Sequence, residues 1–306
     1  MSTELEQLAS EHEDRIKVIS VKYLGDLKRI INEFSQNEEL NSFQDWIVNN
    51  LYNYEVPKAE FGIKSIILMA IHHPFYAKVN FYYDGRAFSA LSLVPPDFIG
   101  AERYLKAFTD KRGWHIIPAG SLPLKRLGVH SGLAKYGRNN ISYIEGLGSN
   151  FSYAAYFSDL PVENDTWGEV TNAEICSNCT ACLNSCPTNA IQKDKFLIDN
   201  KRCLSFFNEV PNEMPDWLPL SAHHSLYDCI ICQRVCPMNK NQVSNVYDNI
   251  SFTEEETSML LEGKAFEEFS EDMKRRIFFL GLNDWYSAIP RNLKLLLGKK
   301  YNAEGE

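Results

Sequence analysis

The stretch CSNCTACLNSCP, Cys176 to Pro187, sets four cysteines at spacings of three, three and four and follows the last with a proline. In such a C-x2-C-x2-C-x3-C-P run, three thiolates converge on one iron–sulfur cubane and the fourth reaches a neighbouring one. The neighbour is legible further on. CIICQRVCP places Cys229, Cys232 and Cys236 before Pro237, the same run with Leu226 standing where its first cysteine would be. A ligand must then come from elsewhere, and of the eight cysteines only Cys203 is left. Crossing the fourth cysteine of each run to the other centre predicts Cys176, Cys179, Cys182 and Cys236 on one 4Fe-4S cluster, with Cys203, Cys229, Cys232 and Cys186 on a second. Zinc ribbons use paired C-x2-C elements rather than a triple run with a trailing Cys-Pro. Disulfide frameworks suit small secreted domains, and this chain is large.

At 306 residues the sequence has room for two domains and a large core. Its 23% charged and 44% hydrophobic residues are ordinary for a soluble globular protein, and no apolar run is long enough to span a bilayer. A net charge of −9 argues against a general grip on nucleic-acid backbones, although a local basic patch can still hold RNA. With metal-ligand cysteines and no apolar leader at its start, the chain is expected to work as a monomer in a reducing cytoplasm.

The expected organisation is α/β (α+β), in three parts: an α/β domain for cofactor and substrate over 1–165, a double-cluster ferredoxin-like domain over 166–245 and a helical extension over 246–306. In the first part, Ile16 to Val21 reads as a strand leading through a glycine turn into an amphipathic helix, and NSFQDWIVNNLYNY as another helix. Ile66 to Ile71 reads as a strand buried on both faces, ending in His72-His73-Pro74. A turn at Asp84-Gly85, a helix over Ala101 to Lys111, strands over Trp114 to Ile117 and Phe151 to Phe157, and a helix in LPLKRLGVHSG complete it. The glycines at 132, 137, 146 and 148 either admit a ligand close to the backbone or make tight turns. Amphipathic helices are expected over Glu254 to Leu261, Glu267 to Phe279 and Ile289 to Leu297, and the closing NAEGE is expected to be disordered.

Several of these stretches together resemble the epoxyqueuosine reductases, a family of cobalamin-dependent reductases. CSNCTACLNSCPTNAI, DNKRCLSFFNE and DCIICQRVCPMN reproduce the family's order, including the lone Cys203 between the runs. SGLAKYGRNN and GSNFSYAAYFSDLP are similar to its glycine-rich segment and to the strand that follows. The resemblance covers roughly residues 55 to 240. It implies a nitroreductase-like domain holding cobalamin, fed with electrons by the ferredoxin-like module, and reduction of epoxyqueuosine to queuosine in tRNA. It also implies cofactor-binding roles for Gly132, Gly137, Arg138 and Asn139, and for Ser205 two residues after Cys203. The sequence departs from the family at one place. Pro118 falls where the family's proton-donating aspartate belongs, and no carboxylate lies between Trp114 and Tyr143.

A general acid must stand within hydrogen-bond reach of the leaving oxygen, so a substitute is needed. His72 and His73 are the candidate catalytic pair, because α/β sheets deliver ligand contacts at the carboxyl edge of their strands and imidazole exchanges protons near neutrality. The alternative is a pair satisfied by backbone carbonyls. His115, His130, Tyr104 and Tyr143 read as structural, and Trp114, Trp167 and Trp285 as packing residues. His223 and His224 either donate to cluster sulfur or lie solvated in a loop. The leading functional expectation is an iron–sulfur oxidoreductase that takes electrons from an external donor, a flavodoxin or ferredoxin, and passes them to a bound corrinoid. The alternative is an electron-transfer protein or reductive activator without its own turnover, and a third possibility is that the front domain holds flavin. The basic C-terminal stretches MKRRIFF and PRNLKLLLGKK either bind tRNA phosphates or form the solvated face of two helices, and the acidic total tilts the substrate slightly toward a small molecule or an unidentified substrate.

Overall fold

The apolar run at 65–72 becomes the central strand around which the front of the chain is layered. In this computed structural model, which describes residues 2–37 and 40–303, the chain divides into two units, Met1–His73 with Pro96–Cys179, and Pro74–Pro95 with Thr180–Glu306.

The first unit opens with α1 (Ser2–Glu11), β1 (Arg15–Ser20), α2 (Leu24–Asn37), α3 (Ser42–Asn50) and β2 (Ser65–His72). The hairpin β3 (Tyr76–Tyr83) and β4 (Arg86–Leu93) interrupts it and belongs to the second unit. It resumes with α4 (Phe98–Asp110), β5 (Ile116–Pro118), α5 (Leu124–His130), the short pair β6 (Lys135–Tyr136) and β7 (Ser142–Tyr143), and β8 (Phe151–Ser158). Its sheet runs β1-β2-β8-β5 with every pairing antiparallel. Side chains alternate across a strand, so β2 feeds two cores. Ile67, Met69 and Ile71 pack with Leu5 and Ala9 of α1 and Leu105 and Phe108 of α4. Ile66 and Leu68 pack with Leu24 and Leu27 of α2 and Leu127 of α5. The result is a helix–sheet–helix sandwich, and β2 is buried from Ser65 to Ile71 as expected.

The antiparallel sheet has a consequence for His72 and His73. The rule that ligands gather at the carboxyl edge belongs to parallel sheets, and a central strand carries the same unbroken apolar run in either kind. The geometric ground for choosing these two residues is therefore absent.

In the second unit, Asp84 (φ 51°) and Gly85 (φ 69°) make the tight hairpin turn that favours this residue pair. The rest comprises α6 (Ala181–Ser185), α7 (Leu204–Glu209), α8 (Ile231–Arg234), β9 (Val246–Phe252), α9 (Glu254–Glu262), α10 (Glu271–Phe279) and α11 (Ile289–Ala303). The sheet order is β4-β3-β9, with β9 parallel to β3. The region expected to be wholly helical thus begins with a strand, and it is this pairing that draws the hairpin into the second unit. Val79, Phe81, Phe252, Leu260, Ile277 and Leu293 form one core between sheet and helices. Thr253 opens α9 with a reciprocal cap: its hydroxyl accepts the Glu256 N–H (3.2 Å) and the Glu256 carboxylate accepts the Thr253 N–H (2.9 Å). Of the closing NAEGE, Asn302 and Ala303 end α11, and 304–306 lie outside the described residues.

Candidate metal centre

In the first unit, Cys176 and Cys179 sit on a loop that the glycine-rich segment holds from outside. β6 and β7 form a hairpin whose Tyr136 exchanges backbone hydrogen bonds with Thr171 and Ala173 (2.9 and 2.8 Å). At its tip Arg138 grips the loop. The Arg138 main-chain N–H donates to Cys176 Sγ (3.4 Å), its Nη2 to the Cys176 carbonyl (2.5 Å) and its Nε to the Cys179 carbonyl (3.1 Å). Asn139 turns inward, donating to the Tyr143 hydroxyl (2.9 Å). A Cβ on Gly137 would come within 2.5 Å of the Tyr143 ring, so the close approach of Tyr143 requires glycine there. Gly132, at φ +76°, ends α5 in a left-handed turn that glycine adopts at no steric cost. Thus Gly137, Arg138 and Asn139 make their described contacts within the hairpin and on the cysteine loop.

The second unit carries the other six cysteines. Cys182 on α6 and Cys232 on α8 belong to helices that pack together. Cys203 caps α7, and the main-chain amides of Ser205 and Phe206 reach its sulfur. Cys186 Sγ accepts the Ala190 N–H (3.3 Å) and lies 3.7 Å from the Thr188 hydroxyl. Burial pushes the Cys229 thiol up to about 12 and raises that of Cys203, and within the metal-free set Cys186 repels both as thiolates while Cys203 repels Cys229. An iron cation reverses this logic, since metal-bound thiols are deprotonated outright. Three of the four ligands expected for the second cluster therefore lie within electrostatic reach of one another. Among the described residues no three His, Cys, Asp or Glu side chains converge on a single ion position; a cubane takes one terminal thiolate per iron, so its ligands need not converge.

The backbone around Cys229 is strained. Asp228 (φ 54°) and Ile230 (φ 45°) both adopt left-handed conformations, and for a β-branched residue such as Ile230 this is an outlier that surrounding structure must hold. The holding groups are present. The Asn208 amide donates to the Asp228 carbonyl (2.7 Å), and Asn292 of α11 donates to the carbonyls of Asn208 (2.8 Å) and Leu226 (2.5 Å). Arg291 donates to the carbonyls of Phe207 (2.6 Å), Val210 (2.8 Å) and Asn212. Ser205 lies between two carboxyls, 2.7 Å from Glu209 Oε1 and 3.1 Å from Asp228 Oδ1. Burial first and the Asp228 charge second push Glu209 up to about 7, and burial likewise raises Asp228.

The histidines divide differently from expectation. His224 places Nδ1 and Nε2 each 2.7 Å from main-chain carbonyls, of Ala222 and Cys229, and so braces the loop; in the described bonds it does not reach sulfur. His223 is buried, not solvated. His72 Nδ1 is 3.5 Å from Glu13, and His73 Nε2 is 2.8 Å from the Ser152 hydroxyl. Tyr104 donates to the buried Asp14 carboxylate (2.7 Å), which also accepts the His72 N–H (2.9 Å).

A group missed in the sequence surrounds Arg126 in the first unit. This side chain, on α5, is 9% exposed and lies over the rings of Phe34 (4.7 Å) and Tyr136 (5.9 Å). Tyr52, His130 and Tyr136 lie within reach of its charge, and Tyr54 within reach of Tyr52. His130 is buried, stacked on Trp167 (4.8 Å) and bonded through Nδ1 to the Gly168 carbonyl (2.6 Å). That bond puts the proton on Nδ1 and leaves Nε2 an acceptor; among the described residues it has no partner, nor does the buried Tyr54 hydroxyl. The only advance signal was a Lys-Arg pair inside the apolar helix LPLKRLGVH.

The fold and the cysteine framework define a double-cluster iron–sulfur protein with an α/β sandwich ahead of its second run. Residues 175–239 match the family described as a 4Fe-4S double cluster binding domain. The chain is 36% identical over 78 residues to an epoxyqueuosine reductase of Cyclobacterium marinum, covering 26% of this chain and 24% of the relative. It is 28% identical over 170 residues to that of Aliivibrio fischeri, covering 55% and 42%. The matched stretches thus span less than half the length of these relatives. A solved epoxyqueuosine reductase, bound to an epoxyqueuosine-modified tRNA stem loop, superposes with a TM-score of 0.66 at 20% identity over 97% of this chain and 81% of that one. In sequence and fold this chain resembles the epoxyqueuosine reductases.

Proposed function

We propose that this chain is an iron–sulfur oxidoreductase of the epoxyqueuosine reductase type, which passes electrons through two 4Fe-4S clusters to a corrinoid bound by its front unit. The carrying observation is the cysteine framework, with Cys186, Cys203 and Cys229 close enough to perturb one another and Cys176 tied to Arg138. Cys176, Cys179, Cys182 and Cys236 hold one cluster, and Cys186, Cys203, Cys229 and Cys232 the other. The reaction is cytoplasmic, and its electrons come from an external carrier.

The residues around Arg126 fit a large, amide-bearing corrinoid. Such a group supplies donors for the orphaned His130 Nε2 and acceptors for the Tyr54 hydroxyl, and a Cβ on Gly132 would meet only open space, which leaves the chain approachable there. When bound, cobalamin supplies a strongly reducing metal for attack on an electrophilic carbon. The chain's own part is to exclude water with the rings of Tyr52, Tyr54 and Tyr136, to orient anionic or polar groups with Arg126, and to deliver a proton. With Pro118 where a carboxylate is expected, His72 and His73 stand as the proton donors on imidazole chemistry alone, without the sheet-edge argument, and His73 Nε2 lies 2.8 Å from the Ser152 hydroxyl. Gly132, Gly137, Arg138 and Asn139 contribute by shaping the turn and hairpin that hold the Cys176–Cys179 loop, and Ser205 by its hydrogen bonds beside Cys203. The first substrate to test is epoxyqueuosine in tRNA.

Metal analysis of the anaerobically purified protein tests this directly. Iron and sulfide near eight atoms each per chain, with cobalt near one after cobalamin addition, are expected. Iron near four removes the two-cluster reading. Eight irons without retained cobalt favour the alternative of an electron-transfer protein or activator, for which the missing carboxylate at Pro118 already speaks.

A further inference from the structure

Resting on the two-cluster reading, we infer that the exposed Arg202–Trp217 pair, with the basic segment 193–202 that leads into it, is the docking surface for a small acidic electron-carrier protein, and that electrons enter the chain there at the second cluster.

The surface touches that cluster's ligand set from several directions. Arg202 is the residue before Cys203, and its Nε donates to the carbonyl of Thr188 (3.0 Å), whose hydroxyl lies 3.7 Å from Cys186 Sγ. Its guanidinium lies over the Trp217 ring at 4.6 Å. The next residue, Leu218, is buried with Leu204 in a small core against which Cys229 packs. One exposed cation–indole pair therefore connects to Cys186, Cys203 and Cys229 through single residues.

Its exposure and charge point to the partner. Trp217 is 43% exposed, although an indole of this size is ordinarily well buried. Aromatic residues and arginine are the types enriched where proteins dock. Lys193, Lys195, Lys201 and Arg202 are exposed, and with Asp194 and Asp199 as the acids of residues 193–202 they give this segment a local cationic excess in a chain of net charge −9. Glu213 and Asp216 precede Trp217 and bring counter-charge, so the attraction is concentrated on the 193–202 side. Redox encounters are small and transient and gain their speed from complementary charge, which selects an acidic carrier over a neutral one. The step is a single electron transfer: the reduced carrier is oxidised by one electron and the cluster is reduced by one. No bond is made or broken, and no proton moves.

The experiment uses the reconstituted full chain and a plant-type [2Fe–2S] ferredoxin. The triple variant Lys193→Glu/Lys195→Glu/Lys201→Glu spares Arg202 and every cysteine. At low ionic strength it is expected to be reduced by ferredoxin at least about tenfold more slowly than wild type, and to lose the steep salt dependence. Calorimetric titration with oxidised ferredoxin should show a dissociation constant raised by a similar factor, while reduction by dithionite stays within about twofold, as expected of a small reagent that needs no docking. Trp217→Ser should slow ferredoxin without removing the salt dependence. A charge-matched control, Lys28→Glu/Lys58→Glu/Lys111→Glu, should behave as wild type. Wild-type ferredoxin rates in the 193/195/201 variant, or an equal loss in the control, overturns this surface. Wild-type protein that shows no cluster absorbance, and no bleaching by dithionite, overturns the two-cluster reading and the surface with it.

Discussion

The two ends of the cysteine framework are built from opposite materials. Cys176 and Cys179 ride on a loop that a cation grips: Arg138 holds both carbonyls and its main-chain N–H points at Cys176 Sγ. Cys203 and Cys229 sit among acids, with the Glu209 and Asp228 carboxyls around Ser205 and a backbone strained at Asp228 and Ile230. Hydrogen bonds and positive charge near cluster sulfur favour the reduced state, while burial and carboxylates oppose it. The Cys176 centre should therefore hold electrons more tightly than the Cys203 centre, and the difference comes from neighbours rather than ligands, which are thiolates on both sides.

The largest test of this contrast removes one side of it. Cys203→Ser should lower iron from about eight to about four atoms per chain and abolish one of two paramagnetic signals in the reduced protein. Retention of both signals would mean that the two ends are not separate centres. A smaller change sharpens the difference instead. Arg138→Ala should lower the potential of the Cys176 centre by roughly one tenfold step, about 59 mV for one electron, and leave the other centre in place. Arg138→Lys should recover the charge but only part of the shift, because ammonium cannot reproduce the two-pronged hold on carbonyls. Redox titration followed by electron paramagnetic resonance separates the two centres.

On the acidic side, Glu209 gives a pH dependence with a definite sign. Its folded value near 7, against an ordinary 4.5, means that the folded chain binds the extra proton between those limits. The stability held below pH 4.5 is lost as pH rises toward 7. Glu209→Gln keeps the Ser205 hydrogen bond without the charge, and should stabilise the protein by about 1–3 kcal/mol at pH 8 and hardly at all at pH 4.5. Denaturant melts at the two pH values check it. A gain equal at both would place the effect in packing instead of charge.

How much of this was legible depended on whether the signal was local. The cysteine runs declare themselves by spacing, and the Asp84-Gly85 turn and the apolar β2 by residue type. β9 was lost in a region read as helical because only Ile250 and Phe252 of VYDNISF are buried, and because its partner β3 lies some 170 residues upstream. The direction of the first sheet was lost for another reason: a central strand flanked on both faces looks the same in parallel and antiparallel company. Arg126, Tyr52, Tyr54, Tyr136 and His130 come together from separate segments, so no spacing announces them. Arg138 was marked for its place beside glycines, yet its described contacts are with the cysteine loop, which no sequence pattern connects to it.

The smallest effect concerns the distant support of the cationic end. His130 Nδ1 donates to the Gly168 carbonyl, and the Gly168 N–H donates back to the His130 carbonyl (2.8 Å). This fastens the segment that runs through Thr171 and Ala173 to Cys176. Burial lowers the His130 pKa below its ordinary 6.5, with the Gly168 bond opposing and the Arg126 charge adding to the shift. The unfolded chain therefore takes up the proton first, so stability present above pH 6.5 falls as the pH drops below it. Protonation does not break the Nδ1 bond; it puts a charge beside Arg126, and the strain should be released by opening the 166–173 segment. In wild type, amide exchange of Thr171 to Ala173 should quicken from pH 7 to 5.5 relative to the intrinsic rate, by a factor of a few, while that of Asn208 and Asp228 at the acidic end should not. His130→Phe keeps the stack on Trp167 and should flatten this acid limb. If exchange quickens equally at both ends, His130 acts on the whole chain and the asymmetry between the two ends of the cysteine framework does not extend to their supports.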